Sequence, residues 1–549
     1  MAHLPRAGDR MIGPRYPASL CMLVLLLAST HARLLAAEPP FFDTSERCLA
    51  CHNGLTTPSG DDVSIGFDWR ASMMANSARD PYWQASVRRE TMDHGESSAA
   101  IEDECATCHM PMARYRAKTE NRPAQVFAHL GTSANTSASH EALDGVSCSL
   151  CHQIGPEHLG TEQSFNGAFH IATPAPGARR PEFGQFEIDS GLKQVMRSSS
   201  GGFEPTQAEH IRRSELCATC HTLRTNALGP DGRVVGSLPE QMPYQEWLHS
   251  DFANRQSCQA CHMPVVAEPV AISRVLAQPR EEVSRHVFVA ANFFMQRMLN
   301  LHRDELSVMA LPQELTSAAE RTTEYLRSRS AKVTVSEAKV HEGRAEFLVR
   351  VENLGGHKLP TAYPSRRAWL HVVVADGSGR KVFESGALKD NGAIDGNDND
   401  VDASRFEPHY REIRTADQVE IYESVLRDST GRVTTSLLSA VGYLKDNRIL
   451  PPGFDKGTAS PDIAVVGDAA ADPAFTEAGH TIRYSIDAGS VHEPLYVNVE
   501  LMYQPIGFRW AHNLAPYDAP EPRRFVAFFE SMQSQTAIAL AGDAAQFRD

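Results

Sequence analysis

The pattern Cys-x-x-Cys-His occurs five times in the 549 residues and uses every cysteine except Cys21. The units are Cys48-Leu-Ala-Cys51-His52, Cys105-Ala-Thr-Cys108-His109, Cys148-Ser-Leu-Cys151-His152, Cys217-Ala-Thr-Cys220-His221 and Cys258-Gln-Ala-Cys261-His262. Two thiols at this spacing lie one helical turn apart and reach the two vinyl groups of one porphyrin. The adjacent imidazole then points at the iron as proximal ligand. Disulfides would not place a histidine after every pair, and five pairs cannot make a whole number of four-cysteine zinc sites. The motifs therefore predict five covalent c-type haems, anchored by the ten cysteines and ligated by His52, His109, His152, His221 and His262.

The N-terminus predicts export. Arg6, Arg10 and Arg15 precede the apolar run Ser19 to Ala28, and small residues follow up to Ala37, ahead of Glu38-Pro39-Pro40. Basic, apolar and small segments in that order read as a secretory signal over residues 1–37. The apolar run is short for a membrane span; an N-terminal anchor is the alternative. The expected location is the periplasm or outside the cell, with no membrane span in the mature chain. Losing four arginines and Asp9 with the signal takes the formal charge from −15 to −18. An acidic surface of that size argues against nucleic acid as a partner; redox proteins of unspecified identity are the expected partners.

Two regions follow. Residues 38–302 hold all five motifs, joined by Gly, Ser and Asn-rich connections, and predict a mainly helical and irregular haem domain. Leu311 to Ser328 reads as an amphipathic helix within a connecting segment, 303–330, with Pro312 near its start. From residue 331 to 549, β-rich runs separated by Gly, Asp and Asn predict a β-sandwich-like domain. The runs begin at Lys332, Ala345, Arg367, Val419 and Tyr496, and Phe525 to Leu540 reads as a closing helix. Within the haem region, Trp69-x-x-Ser72-x-x-Ala75-Asn76 matches Trp247-x-x-Ser250-x-x-Ala253-Asn254, which suggests a duplicated haem-pair module.

These segments resemble bacterial multihaem c-type cytochromes related to the tetrahaem cytochromes of nitrification and, more distantly, to hydroxylamine oxidoreductase. The resemblance is carried by Asp144-Gly-Val-Ser-Cys-Ser-Leu-Cys-His-Gln, Ser214-Glu-Leu-Cys-Ala-Thr-Cys-His, Tyr244-Gln-Glu-Trp-Leu-His-Ser and Ser257-Cys-Gln-Ala-Cys-His-Met-Pro. The second half is similar to a β-domain found behind such haem regions, through Gly355-Gly-His-Lys-Leu-Pro-Thr and Lys445-Asp-Asn-Arg-Ile-Leu-Pro.

The sixth ligand of each iron then separates an electron carrier from an enzyme. His249 and His286 lie in segments where the resemblance implies ligands. His140 and His210 precede Cys148 and Cys217 by eight and seven residues, a reach that suits a neighbouring haem. His357, in a Gly-Gly-His-Lys loop between two predicted strands, can carry an imidazole across the domain boundary. Met74 stands where the resemblance implies histidine, and thioether sulfur is a competent ligand that raises the potential; Met73 is its neighbour. His94, His170 and His409 are further candidates. The oxygen-rich run Asp395 to Asp402 is a candidate Ca²⁺ loop, although it lacks the spacing and terminal Glu of an EF-hand. Arg366, Arg367, Lys445 and Arg448 are candidate partners for haem propionates.

An electron-transfer protein is the reading these features favour. The alternatives are a multihaem oxidoreductase acting on a small nitrogen or sulfur compound at one five-coordinate haem, and a structural, filament-forming cytochrome. All five motifs end in histidine, without the lysine variant that nitrite reductases use, and this weighs against the enzyme.

Overall fold

Alternation of apolar and polar residues after Ala331 gives strands with one buried face. The computed structural model describes residues 41–131, 136–174, 178–489 and 494–547, so the signal segment lies outside the described residues. Strand Ala331–His341 turns through Glu342 and Gly343, both with positive φ (50° and 76°), and pairs antiparallel with Arg344–Asn353. A hairpin turn with φ above zero at both central residues matches the twist of its strands. In the second strand Phe347, Val349 and Val351 are buried, while Glu346, Arg350 and Glu352 between them stay partly exposed.

Gly479–Asp487 extends this sheet, and Phe475–Thr476 and Glu412–Ile413 both pair with it. A second five-stranded sheet runs Ile421–Tyr422, Arg367–Ala375, Leu495–Gln504, Ile538–Phe547, with Lys381–Ser385 also on Arg367–Ala375. Phe347, Val349 and Tyr484 of one sheet join Leu370, Val372, Val497 and Leu501 of the other in one continuous core. This is the sandwich architecture, in which inward faces interdigitate.

Two expectations change here. The run from Val419 is split: Ile421–Tyr422 lies in the second sheet, while Ser424–Asp428 belongs to a third sheet with Val433–Thr434 and Ala440–Asp446. The chain switches sheets at Glu423, whose N–H donates to Asn447 Oδ1. The closing helix is Pro520–Ser531, and the chain ends as strand Ile538–Phe547. Ile538-Ala-Leu-Ala has a strand's period of two, and it finds an antiparallel partner in Leu495–Gln504.

Helix Pro312–Arg329 begins with proline, and the Glu314 carboxylate accepts from the Leu311 N–H. Its buried face is Leu315, Ala318, Ala319, Thr322 and Leu326, spaced as one helical stripe. Before it, the elements are short. The longest are Pro81–Asp93 and Ser98–His109, and small ladders join Pro181–Gly184 to Glu204–Gln207 and Leu223–Leu228 to Val234–Gln241. From Phe42 onward the chain forms one compact unit. Among the described residues no helix is long and apolar enough to cross a membrane.

Candidate haem-binding site

Each motif sits on a turn of helix. In the first, third and fourth, the histidine N–H donates to the carbonyl of the first cysteine, at 3.0 Å in each case. That bond aims both thiols and the imidazole into one space. All ten cysteines and all five motif histidines line a single cavity of about 1890 Å³ with predominantly apolar walls.

Four motif histidines share a tautomer. His52 Nδ1 donates to the Ile272 carbonyl (2.6 Å), His109 to Ser77 (2.9 Å), His152 to Phe183 (2.5 Å) and His262 to Val289 (2.5 Å). A proton fixed on Nδ1 leaves the Nε2 lone pair for a metal. Burial holds these imidazoles neutral, pushing His109 and His262 down to about 4. The His109 ring is further fixed by Trp83, stacked at 4.4 Å.

The motifs touch in an order that differs from the chain. The Cys48 thiol lies beside Cys148 of the third motif, Cys217 of the fourth beside Cys258 of the fifth, and Cys220 beside Cys108 of the second. Cys151 of the third motif lies within electrostatic range of both Cys217 and Cys220. The fourth motif thus adjoins the second, third and fifth, and the first adjoins the third.

Of the candidate distal ligands, two face motif histidines across this cavity. The His286 ring stands 6.4 Å from His152 with planes 21° apart, and the His357 ring 6.3 Å from His262 with planes 13° apart. Both turn Nδ1 to a nearby carbonyl, His286 to Ser284 and His357 to Lys358. Among the described residues these are the ring pairs that join a motif histidine to a non-motif one.

The His357 loop is fixed by buried charge. The Lys358 N–H donates to Glu246 Oε2, on the helix just before the fifth motif, and Thr361 donates to the same oxygen at 2.6 Å. Lys358 Nζ pairs with Asp446 (2.8 Å), and Arg448 bridges Asp446 (2.7 Å) to Glu246 (2.9 Å). At Gly356 an added Cβ would lie 3.0 Å from Phe252, so the loop's close approach depends on glycine.

Other candidates lie elsewhere. His140 is exposed. His210 and His249 direct Nε2 at the carbonyls of Ile154 (2.8 Å) and Asp455 (2.9 Å). His170 pairs with Glu157 at 3.1 Å and His94 lies 3.9 Å from Glu90. His409 is buried in the β-rich half, away from the cavity. Met73 and Met74 line the cavity, from a turn after helix Ile65–Arg70. Met74 matches Phe252 in the repeat, and both line the cavity.

The candidate Ca²⁺ loop does not gather its carboxylates around one point. Asp395 pairs with Lys389, Asp398 with Arg405 and Asp400 with Arg367, while Asp402 caps Ser404, so the carboxylates are used one by one. Three of the propionate partners are likewise taken: Arg367 by Asp400, Arg448 by Asp446 and Glu246, and Lys445 by Glu423 and two carbonyls. Arg366 does line the cavity.

One part of the wall carries no signal in the sequence. Asp80, Tyr82, Glu90, Glu240 and Tyr363 line the cavity near the second motif, with the two tyrosine rings 5.8 Å apart. Burial pushes Asp80 up to about 6 and raises Glu90 and Glu240. These residues come from distant segments without a shared pattern.

Five Cys-x-x-Cys-His turns surround one cavity in front of a β-rich half, and this fold is shared with a solved multihaem c-type cytochrome. The chain is similar to the penta-haem cytochrome c552 from Thermochromatium tepidum, at 16% identity and a TM-score of 0.52, over 93% of this chain and 100% of that one. No protein-family model and no curated protein sequence matches it.

Proposed function

We propose that this chain is an exported electron-transfer protein that holds five covalent haems, one at each motif. The observation that carries this reading is the single cavity lined by all five motifs, each of which has another motif's cysteine as a neighbour. When bound, haem supplies one-electron chemistry at iron. The chain's own part is to bring the five attachment sites together, exclude water and set each iron's ligands. The motif residues suit the group: thiols in pairs, neutral imidazoles with Nε2 free, and apolar walls.

His286 and His357 serve as distal ligands in this reading, opposite His152 and His262. Two imidazoles bonded at about 2.0 Å to opposite faces of one metal have ring centres about 6.4 Å apart. The observed separations of 6.4 and 6.3 Å agree with that arrangement. The kinship to nitrification cytochromes and hydroxylamine oxidoreductase, and the periplasmic or extracellular location, rest on the motif segments and the signal sequence.

The purified protein should carry five irons per chain that survive acid–acetone extraction, and all five should reduce in one connected titration. Fewer than five irons, or a haem that never exchanges electrons with the rest, would overturn the reading.

One observation favours a second reading, an oxidoreductase with one open haem. The carboxyl and phenol groups of Asp80, Glu240 and Tyr363 share the second motif's wall with proton-holding chemistry. A high-spin signal that shifts on adding a small nitrogen or sulfur anion would support it; five low-spin haems would exclude it.

A further inference from the structure

The β-rich half holds a second cluster of ligating side chains, and none of them lines the haem cavity. His409 comes from the loop before Glu412–Ile413, Asp472 follows the short helix Asp468–Ala471, and His480 opens strand Gly479–Asp487. All three are buried, and their ligating atoms lie within 4.8 Å of one another.

The geometry converges on one point. His409 Nε2 lies 3.0 Å from Asp472 Oδ2, and His480 Nε2 lies 3.3 Å from the same oxygen. Ligands bonded at about 2.0–2.1 Å to a tetrahedral ion are separated by roughly 3.3 Å. The opposite nitrogens are already engaged: His409 Nδ1 faces Glu420 Oε1 at 2.9 Å, and His480 Nδ1 faces the Tyr422 hydroxyl at 3.1 Å. Asp472 Oδ1 accepts from the Ala474 N–H, which leaves Oδ2 for the centre. A carboxylate or hydroxyl behind each ligating imidazole is the usual support of a metal site.

A second observation points to a ligand. His480 Nε2 is fully buried, and its contact with Asp472 Oδ2 at 3.3 Å lies outside hydrogen-bonding geometry. An unsatisfied buried polar atom is costly, and an ion at the centre would satisfy it. Charge agrees: Asp472 and Glu420 are both buried carboxylates, and the nearest arginine to Asp472, Arg411 at 3.8 Å, is largely exposed. Phe475 packs edge-on against both imidazoles at 5.4 Å and fixes their ring planes.

We infer that His409, Asp472 and His480 bind one divalent cation of the zinc class, with a water in the remaining position. Mixed nitrogen and oxygen donors suit such an ion. The ion ties together three segments of the first sheet and has no part in the haem chemistry.

The full-length haem-loaded protein is the sample. Elemental analysis should find one zinc per chain alongside the iron. Zinc-edge X-ray absorption, which iron does not obscure, should show two imidazole nitrogens and one carboxylate oxygen. Asp472→Asn and His480→Gln should each lose that zinc while the haem spectrum is unchanged. If a variant does not fold, chelator-treated wild type titrated with Zn(II) should regain one equivalent with a higher melting temperature. A wild type that neither retains zinc nor takes it up at one equivalent overturns the inference. So does zinc retained in full by Asp472→Asn. Neither result bears on the iron count, so the haem reading stands or falls separately.

Discussion

The two halves of this protein bury apolar surface in opposite ways. After Ala331 two sheets share a core whose largest members there, Tyr422, Tyr484, Tyr503 and Phe347, are almost wholly inaccessible. Before about residue 302, Tyr82 and the apolar face of Phe293 to Leu299 join that core, and the remaining buried residues form smaller clusters, such as Leu55 with Val63, Val270 and Val283, set around the 1890 Å³ cavity. Interiors are normally packed with few voids larger than a water molecule. One half is therefore filled with side chains, and the other is built around a group it must acquire.

The largest effect expected from that contrast is loss of the first half. Expressed without haem attachment, residues 38–302 should give no cooperative unfolding transition, by calorimetry or near-ultraviolet dichroism. A folded haem-free fragment would break the comparison outright.

Next comes a change in the β-rich half. Phe347→Ala should cost about 3–5 kcal/mol, the usual range for a buried phenylalanine. Denaturant melts should show this loss with haem content and spectrum intact. A spectrum that changes with Phe347 would mean the shared core transmits the loss to the haem cavity.

The third test sharpens the haem side. Asp80 is buried, and its folded pKa of about 6 exceeds the 3.8 of a free aspartate. The raised value favours the protonated form, so the stability it contributes is full below about pH 4 and is lost as pH rises through 6. Over two pKa units this amounts to at most about 3 kcal/mol. Asn at the same position keeps the cap on Tyr82 and Trp83, since it serves as well as Asp there. Asp80→Asn should therefore stabilise the protein at pH 7–8 and flatten its stability between pH 4 and 6. An unchanged pH profile would mean the carboxyl is solvated.

The smallest effect tests the join. His357→Ala should leave five covalent haems, turn one from low-spin to high-spin, and ease proteolysis between residues 303 and 331. An identical spectrum would make His357 a loop residue only.

How much of this was legible follows from how local each signal is. The motifs lie within five consecutive residues, so chemistry and position were both readable. Period-two runs gave most strands, and a proline followed by a single buried stripe gave helix Pro312–Arg329. Readability stopped where partners come from distant segments. Spacing to the nearest motif singled out His210 and the resemblance singled out His249, yet the fold turns their Nε2 atoms to backbone carbonyls. Ile272, Ser77, Phe183 and Val289 orient the motif histidines through carbonyls, for which side-chain identity offers no trace. The run Asp395 to Asp402 looked like a cation loop because its arginine and lysine partners are apart from it in sequence or follow it without a pattern. His409 drew attention as a histidine, but its companions Asp472 and His480 become visible only once the strands have paired.

The thiol contacts define a circuit whose wiring differs from the chain's numbering. The fourth motif is its junction, the third a through-connection, and the first, second and fifth are terminals. Cutting the second terminal leaves the remaining line continuous, and cutting the third detaches only the first. Cutting the fourth breaks the network into three pieces. If the proposed haems sit at these motifs, an arrangement with three ends would have room for two separate inputs feeding one output, or one input shared between two outputs, with the fourth motif at the branch.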